Sequence, residues 1–217
     1  MLIVLEGLDG AGKSTQINLL QEYFRERGAK VKYLHFPRFD APVFGDLIAR
    51  FLRGDLGKIE EVHPMLVALL FAGDRRDASD EIKDWLAAGY HVILDRYLYS
   101  NIAFQCAKCR DTESASELRN WIFDTEYHKF GIPVPDLNLF LDVPLTFVDK
   151  KLKENREGEE RSYLLGKRDI HEESISFQKR VREIYLKECD KGTDLKRVDC
   201  SDKNGEILPA VDIFNKI

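Results

Sequence analysis

The stretch LIVLEGLDGAGKSTQ, residues 2–16, decides the fold, because an apolar run passes directly into a glycine-rich loop. Residues Gly7 to Ser14 fit G-x-x-x-x-G-K-[ST] in full, in a context that predicts a strand before the loop and a helix after it. The glycines permit positive φ angles, so backbone N–H groups can surround an anion, and the helix N-terminus adds unpaired donors. The stretch therefore predicts a loop that binds the phosphates of a nucleoside triphosphate.

This loop supplies most of the candidate ATP-binding residues. Lys13 can reach the β- and γ-phosphates, and the Ser14 hydroxyl can ligate Mg²⁺. Asp9 is an awkward neighbour because phosphates repel a carboxylate, so it either stabilises a turn or points toward a hydroxyl or a cation. The expected ATP-binding set in the loop is Gly7, Gly10, Ala11, Gly12, Lys13, Ser14 and Thr15.

Five short apolar runs, separated by helical stretches, are typical of the strands of a parallel sheet covered by helices on both faces. We therefore expect an α/β fold of three layers. The predicted strands are Leu2–Leu5, Val31–Phe36, His91–Leu94, Leu137–Leu141 and Leu195–Val198. The predicted helices are Lys13–Arg27, a long helix from Pro64 to near Gly89, Ser100–Cys109, Ala115–Lys129 and His171–Cys189. The last is amphipathic, with Ile175, Val181 and Ile184 on or near its buried face.

The composition suits one domain with a full core. The chain has 217 residues, of which 44% are hydrophobic and 33% charged, and its net charge of -5 gives no overall basic footprint for nucleic acid. No apolar run approaches the ~20 residues of a membrane span, and the first apolar run is too short for a signal peptide. We therefore expect a cytoplasmic protein without a membrane segment.

Four cysteines are too sparse for a disulfide scaffold in a chain of this length. Cys106 and Cys109 have the spacing of half a zinc site, but no second Cys-x-x-Cys pair exists in the sequence. Two helical thiols are therefore favoured over a metal site.

Asp95-Arg96-Tyr97 follows the third predicted strand, at the edge of a parallel sheet where ligands bind. Asp95 can act on Mg²⁺, directly or through water, as acidic residues do in other P-loop enzymes. Arg96 can bind phosphate with two parallel hydrogen bonds. A purely structural Asp–Arg pair is the alternative, but the neighbouring phosphate loop favours a functional one.

Two predicted helices carry candidates for binding a second nucleotide. Phe71 and Arg75 are four residues apart and share a helix face, which suits a base and its phosphate, although an isolated Phe71 is more often a core residue. On the next helix, Ser100 and Gln105 lie close behind Asp-Arg-Tyr. Gln105 offers both a donor and an acceptor, as reading a base edge requires.

Residues 150–168, KKLKENREGEERSYLLGKR, are crowded with charge and contain two glycines. Composition alone favours a solvated loop beside a helix. The functional alternative is a lid whose cations meet phosphates. No internal repeat or low-complexity linker divides the chain, so we expect a single domain, residues 1–217, with inserted lobes.

Four stretches, LIVLEGLDGAGKSTQ, LLFAGDRRD, VILDRYLYSNIAFQ and IPVPDLNLFLDVP, resemble the thymidylate kinase family in order and spacing, and the resemblance continues to FQKRVREIYL. The Asp-Arg-Tyr-x-x-Ser-x-x-Ala-Phe-Gln run is more specific than the phosphate loop. The resemblance implies a P-loop NTPase fold with a five-stranded parallel sheet, a monophosphate-binding region over about 36–75 and a mobile lid over about 150–170. It also implies phosphoryl transfer from ATP to dTMP with Mg²⁺, giving ADP and dTDP for dTTP synthesis, in a homodimer.

The same resemblance assigns roles in the acceptor site. Asp9 is expected near the sugar hydroxyl and the acceptor phosphate, Phe71 on the thymine ring, and Arg75 and Gln105 at the base. Arg96 is expected to bridge the donor and acceptor phosphates. The dTMP-binding set that the resemblance implies is Asp9, Phe36, Pro37, Arg38, Phe71, Arg75, Arg96, Tyr97, Ser100 and Gln105.

One departure from the family shifts attention to the lid. Some members carry an arginine inside the phosphate loop, where this chain has Gly10 and Ala11, and other members place such cations in the lid. Lid arginines are therefore expected to assist the transfer. The expected catalytic residues are Lys13, Asp95, Arg96, Arg156 and Arg161, and Lys167 and Arg168 are expected at ATP.

Two other functions compete with this one. The nearest is another nucleoside monophosphate or deoxynucleoside kinase of the same fold, and one methyl group separates dUMP from dTMP. A non-catalytic nucleotide-binding protein is the alternative from another class. A GTPase switch would need a guanine-reading Asn-Lys-x-Asp after a strand, and the sequence has none.

Overall fold

The computed structural model describes residues 1–58, 61–154, 175–192 and 194–217. Five parallel strands form one sheet in the order β2-β3-β1-β4-β5, so the first strand is central. All five predicted strands are confirmed, with boundaries that differ by two residues at most. They are β1 Leu2–Gly7, β2 Val31–His35, β3 His91–Asp95, β4 Leu137–Asp142 and β5 Leu195–Asp199.

Eight α-helices and one π-helical turn are seen in the described residues. The α-helices are α1 Lys13–Glu26, α2 Phe44–Leu52, α3 Pro64–Ala87, α4 Leu98–Cys106, α5 Thr112–Phe123, α6 Leu145–Glu154, α7 Ile175–Asp190 and α8 Ala210–Phe214. The π-helical turn Asp124–Lys129 continues α5, so the helix predicted over Ala115–Lys129 changes its hydrogen-bond pattern at its second half. The sequence analysis did not predict α2, α6 or α8.

Two expectations about helices are wrong. Helix α4 begins at Leu98 and ends at Cys106, so Cys109 lies beyond it and is not a helical thiol. In α7 Ile184 packs against the core as expected, but the exposed fraction of Ile175 is 41%. The buried apolar stripe consists of the expected Val181 together with Phe177 and Tyr185. Those three residues are spaced at four-residue intervals, which keeps them on one face of the helix.

The sheet register places the phosphate loop at the middle of the sheet's carboxyl edge. In β1, Leu5 pairs with Asp95 of β3, and Gly7 pairs with Leu141 of β4. All six residues of β1 are buried, as expected for a central strand with helices on both faces. The loop after β1 and the residues after β3 therefore leave the sheet side by side.

A second, smaller core lies between α2 and α3, apart from the core around the sheet. It consists of Ile48, Phe51, Leu52 and Val67. Gly73 lets the two helices approach, because a Cβ atom there would come within 2.1 Å of the Phe44 ring. Helix α2 and the first half of α3 fall within the region expected to bind the monophosphate.

Candidate active site

The phosphate loop is built from backbone. Gly10 and Gly12 adopt φ angles of 72° and 76°, in the left-handed region that glycine enters without steric cost. Gly12 is the N-cap residue of α1, and no side chain among the described residues caps this helix. The first N–H groups of α1, including those of exposed Ser14 and Thr15, are therefore placed to meet an anion.

A side chain at position 10 would collide with α6. A Cβ atom built on Gly10 would lie 2.9 Å from the Cβ atom of Lys151. The positive φ and this close approach together give a physical reason why the loop carries no arginine at Gly10. Lys151 is the residue of α6 whose side-chain stem packs against this backbone position.

Lys13 lies buried across the loop, where its Nζ donates to the Leu8 carbonyl at 3.1 Å. The ammonium is also 3.9 Å from Oδ1 of Asp95. Burial, with help from Arg96, lowers the pKa of Lys13, although Asp95, Asp9 and Glu6 oppose that shift. Lys13 is thus a buried cation inside the phosphate-binding loop.

Asp95 ends β3 beside Lys13. Its Oδ2 lies 3.4 Å from Nδ1 of His35, whereas its buried Oδ1 has no hydrogen-bond partner among the described residues. Burial acts to raise the pKa of Asp95, but Lys13 and His35 outweigh it and lower the pKa below its ordinary value. Asp95 is therefore an ionised carboxylate with one unsatisfied oxygen near the loop.

Arg96 joins the phosphate loop to α4. Its Nη1 donates to the Gly7 carbonyl at 2.8 Å and to Oγ of Ser100 at 3.2 Å, and its Nη2 donates to Oδ1 of Asp9 at 2.6 Å. Its φ angle of 67° is uncommon for a residue other than glycine, and such strain clusters at functional sites. Burial acts to lower the pKa of Arg96, but Asp9 together with Tyr185, Asp95 and Glu6 outweighs it and raises the pKa above its ordinary value.

Asp9 points at a cation, which was one of the two alternatives for it. Besides the Arg96 bond, its Oδ2 accepts a hydrogen bond of 2.9 Å from Nε2 of Gln178 on α7. Both carboxylate oxygens are thus turned toward donors. Gln178, which lies 169 positions from Asp9, was not among the predicted site residues.

Arg38 follows β2 and is clamped by α3. Its Nε donates to Oδ1 of Asp74 at 2.8 Å, its backbone N–H donates to Oδ2 of Asp74 at 2.9 Å, and its Nη2 donates to Asp77 at 2.6 Å. Phe36, before Pro37, is buried against the ring of Tyr97, with centroids 5.8 Å apart. The segment after β2 is thereby fixed to α3 and to the start of α4.

Arg75 is 2% exposed and forms a two-point ion pair with Glu126, whose exposed fraction is 0%. Nε donates to Oε2 at 2.5 Å and Nη2 donates to Oε1 at 2.7 Å. Phe71, one turn earlier on α3, packs on the small core between α2 and α3. Gln105 is buried in α4, and its Oε1 accepts a hydrogen bond of 2.7 Å from Nζ of Lys108.

Glu6 is a fully buried carboxylate at the end of β1. It accepts hydrogen bonds from the backbone N–H groups of Tyr97 and Ser100 at 2.9 and 3.1 Å, from the Ser100 hydroxyl, and from the Tyr185 hydroxyl at 3.0 Å. Burial raises its pKa, against the opposing effect of Ser100 and Arg96. The hydroxyl of Tyr97 is directed elsewhere, to the Pro133 carbonyl at 3.1 Å.

The acidic residues that hold Arg38 and Arg75 were not predicted from the sequence, and neither was Glu6. Glu6 had a signal, because a carboxylate inside an otherwise apolar strand is rarely buried unless it is paired. Asp74 and Glu126 had none. The structure brings together Lys13, Asp95, Arg96, Asp9 and Ser100, whereas the expected lid residues Arg156, Arg161, Lys167 and Arg168 lie outside the described residues.

The thiols of Cys106 and Cys109 face backbone carbonyls, those of Ala115 and Gln105. The Cys106 thiol donates to the Ala115 carbonyl at 3.3 Å, and burial raises its pKa to about 12. No cluster of three or more His, Cys, Asp or Glu side chains suited to a metal occurs in the described part of the chain. Within the same residues, no helix is both long enough and apolar enough to cross a bilayer.

Comparisons with known proteins agree on one family. The family model for thymidylate kinase matches residues 5–209. A probable thymidylate kinase of Thermococcus kodakarensis is 38% identical over 192 residues, covering 86% of this chain and 83% of that protein. Thymidylate kinase of Mycobacterium tuberculosis is 35% identical over 187 residues, covering 85% and 84%. A solved structure of thymidylate kinase from Candida albicans superposes with a TM-score of 0.72 at 28% identity, covering 99% of this chain and 88% of that one.

Proposed function

This chain belongs to the thymidylate kinase family, and on that premise we propose how its residues carry out phosphoryl transfer. It is an ATP-dependent nucleoside monophosphate kinase that phosphorylates dTMP, giving ADP and dTDP. The observation that supports our assignment of residues is the position of Arg96, which contacts the phosphate loop at Gly7 and Asp9 and α4 at Ser100. A cation there lies between a loop that binds the donor and the helices that carry the acceptor residues.

On the donor side, the backbone of Gly7 to Ser14 and the Lys13 ammonium hold the phosphates of ATP. Positive φ angles at Gly10 and Gly12 and the uncapped N-terminus of α1 support this role. Phosphoryl transfer asks little covalent chemistry of a protein and much positioning and charge stabilisation. Lys13 supplies positive charge where the transferred group becomes most anionic.

On the acceptor side, Arg38 and Arg96 hold the phosphate of dTMP, while Phe71, Arg75 and Gln105 meet the base. The acceptor phosphate is already anionic, so it needs no strong general base. Asp9 and the hydroxyl of Ser100 complete the set through their bonds to Arg96. Tyr97, Phe36 and Pro37 act by packing and by shaping the segment that carries Arg38.

The residues at the loop fit Mg²⁺. Asp95 has an ionised, buried oxygen that lacks a hydrogen-bond partner among the described residues, and the Ser14 side chain is exposed at the start of α1. Few protein ligands are needed, because Mg²⁺ keeps several waters and takes further oxygens from substrate phosphates. When bound, Mg²⁺ neutralises charge on the β- and γ-phosphates, with Ser14 and Asp95 holding it directly or through water.

The charged segment over about 150–170 is proposed to act as a lid. Arg156 and Arg161 are proposed to assist transfer, with Lys167 and Arg168 at ATP, from a segment that closes over the phosphates. Closure of such a lid excludes water that would otherwise hydrolyse ATP. We further propose that the enzyme works as a homodimer in the cytoplasm.

A coupled assay of ADP release tests the proposal. The acceptors are dTMP, dUMP, dCMP, thymidine and none, each with ATP and Mg²⁺. The expected result is the highest kcat/KM with dTMP and negligible release without an acceptor. Preference for dCMP or thymidine would make the chain another kinase of this fold, and nucleotide binding with no ADP release under any condition would make it a binding protein.

A further inference from the structure

The ion pair between Arg75 and Glu126 joins two elements that are far apart in sequence. Arg75 lies on α3, and Glu126 lies 51 positions later, on the π-helical turn Asp124–Lys129. Both side chains are buried, so neither charge is solvated by bulk water. A guanidinium placed there without a partner would be strongly destabilising, since a buried charge must be paired and hydrogen-bonded.

The pair fixes the guanidinium in one orientation. The bonds to Glu126 use the Nε and Nη2 groups, which form one edge of the planar guanidinium. Nη1 lies on the opposite side of that edge. Burial acts to lower the pKa of Arg75, but the Glu126 carboxylate outweighs it and raises the pKa, so Arg75 stays charged.

Glu126 is itself held by α4. Nδ2 of Asn101 donates both to Oε1 of Glu126 at 2.9 Å and to the Ala68 carbonyl at 3.0 Å. The carboxylate is thereby fixed against two helices, α3 and α4, that carry the proposed acceptor residues. π-Helical turns are rare and often occur at functional sites.

We propose that Glu126 is a positioning residue for the nucleobase of the acceptor: it orients Arg75 so that the outer guanidinium donors face the base. This inference rests on the proposed function, in which Arg75 meets the base of dTMP. A guanidinium only donates hydrogen bonds, so an oriented Arg75 can donate to a carbonyl oxygen on the base edge but offers no acceptor to an amino group. Glu126 therefore contributes to the preference for thymine or uracil over cytosine.

The chain contains a matched control pair. Arg119 on α5 and Glu188 on α7 also form a two-point ion pair, in which Nε and Nη2 of Arg119 lie 3.0 and 2.9 Å from Oε2 of Glu188. Glu188 is buried like Glu126. The control pair contacts none of the residues proposed to bind dTMP or ATP in the bonds described above, so its loss reports on stability alone.

The experiment compares Glu126→Gln, Glu126→Asp and Glu188→Gln with the wild type. For each, kcat and KM are measured with dTMP, dUMP and dCMP, KM is measured for ATP, and the thermal midpoint is recorded. In Glu126→Gln we expect the KM for dTMP to rise about tenfold and the dTMP-over-dCMP ratio of kcat/KM to fall by a similar factor, because a misoriented donor no longer rejects the amino group. The KM for ATP should stay near the wild-type value.

Glu126→Asp keeps the charge and shortens the side chain by one methylene. It should fold even where Glu126→Gln does not, and it should move the KM for dTMP and the base preference in the same direction by a smaller factor. Glu188→Gln should lower the thermal midpoint and leave the base preference unchanged. An unchanged dTMP-over-dCMP ratio in the folded Glu126 variants, or an equal change in Glu188→Gln, would overturn the inference.

The same measurements test the substrate assignment independently of the positioning role of Glu126. If the wild type releases no ADP with dTMP, the substrate assignment is wrong and Glu126 is not in question. If the wild type prefers dTMP and the Glu126 variants keep that preference, the substrate assignment holds and the positioning role is wrong.

Discussion

The two halves of the candidate site are built in different ways. The donor loop, residues 7–15, is made of backbone, with two glycines at positive φ and one buried lysine. The acceptor side is made of side chains. We call Arg38, Arg75 and Arg96, with the carboxylates that hold them, the arginine wall. Its ion pairs are Arg38 with Asp74 and Asp77, Arg75 with Glu126, and Arg96 with Asp9.

This difference determines which substitutions impair binding in each half. A backbone-built anion site has few side chains to delete, so it is damaged mainly by adding atoms or by removing its single cation. In the wall each guanidinium depends on an acidic partner, so removing a carboxylate disturbs binding without touching a group that meets substrate. The predictions below test that asymmetry.

Removal of the Lys13 charge should give the largest effect. In Lys13→Met, we expect kcat to fall by about 10³-fold, because a preorganised charge at the transferring phosphate is lost from a buried site. Steady-state kinetics with ATP and dTMP checks this. Lys30→Met, at an exposed position before β2, is the control and should behave like the wild type. A loss below tenfold in Lys13→Met would show that the donor loop acts through its backbone alone.

The second-largest loss of activity should come from adding a single methyl group to the loop. Gly10→Ala should raise the KM for ATP and lower kcat/KM by about 10²-fold, since a displacement of about 1 Å near the reacting groups is costly. The displacement arises because Cβ would lie 2.9 Å from Cβ of Lys151. Gly28→Ala is a matched control, because Gly28 has the same φ of 72° and its Cβ would meet nothing within 4 Å.

Both variants carry the backbone cost of a left-handed alanine, about 1–2 kcal/mol in the free energy of unfolding. Urea unfolding should therefore show similar destabilisation in both, while only Gly10→Ala loses ATP binding. Equal kinetic losses in the two variants would mean that backbone strain, and not the contact with α6, causes the loss of ATP binding.

Removing the charge of one carboxylate in the arginine wall should weaken dTMP binding, by a smaller factor than the two changes in the donor loop. In Asp74→Asn, Arg38 loses its charged partner on Nε and keeps the one on Nη2, Asp77. We expect the KM for dTMP to rise about tenfold, the equivalent of losing a hydrogen bond to a charged group, with the KM for ATP unchanged. Asp55→Asn, which weakens the Arg53–Asp55 pair, is the control. A rise confined to the KM for ATP would contradict the division into two halves.

The same contrast explains what sequence could reveal. The donor loop is contiguous, so its strand, glycines, lysine and helix could all be predicted from residues 2–16, and the alternation of five apolar runs was enough for the sheet. The wall's arginines could be suggested from local spacing, as for Phe71 and Arg75. The partners of Arg38 and Arg75 could not, because Asp74 lies 36 positions from Arg38 and Glu126 lies 51 from Arg75. Only the tertiary fold brings such pairs together.

Local patterns also failed where packing decides the outcome. The buried face of α7 passes through Phe177, Val181 and Tyr185, and Ile175 is exposed although it is apolar. Tyr185 is buried with its ring stacked on Phe140 and its hydroxyl bonded to Glu6, and neither contact can be read from the sequence of α7 itself. The helix α2 was missed although Ile48, Phe51 and Leu52 recur at helical spacing and are buried on one face.

The smallest expected effect concerns the carboxylate between the two halves. Asp95 has a pKa below its ordinary value of 3.8, since Lys13 and His35 outweigh the effect of burial. A carboxylate whose pKa is lowered on folding contributes stability above its unfolded pKa, and that contribution is lost as the pH falls through the folded pKa. The free energy of unfolding of the wild type should therefore decrease more steeply below about pH 4 than that of Asp95→Asn.

Urea unfolding between pH 7 and pH 2 measures both curves, with Asp84→Asn, at an exposed position of α3, as the control. The gap between wild type and Asp95→Asn should narrow as the pH falls. A gap that stays constant or widens would mean that Lys13 does not favour the ionised form of Asp95, and that the donor loop and the residue after β3 are electrostatically independent.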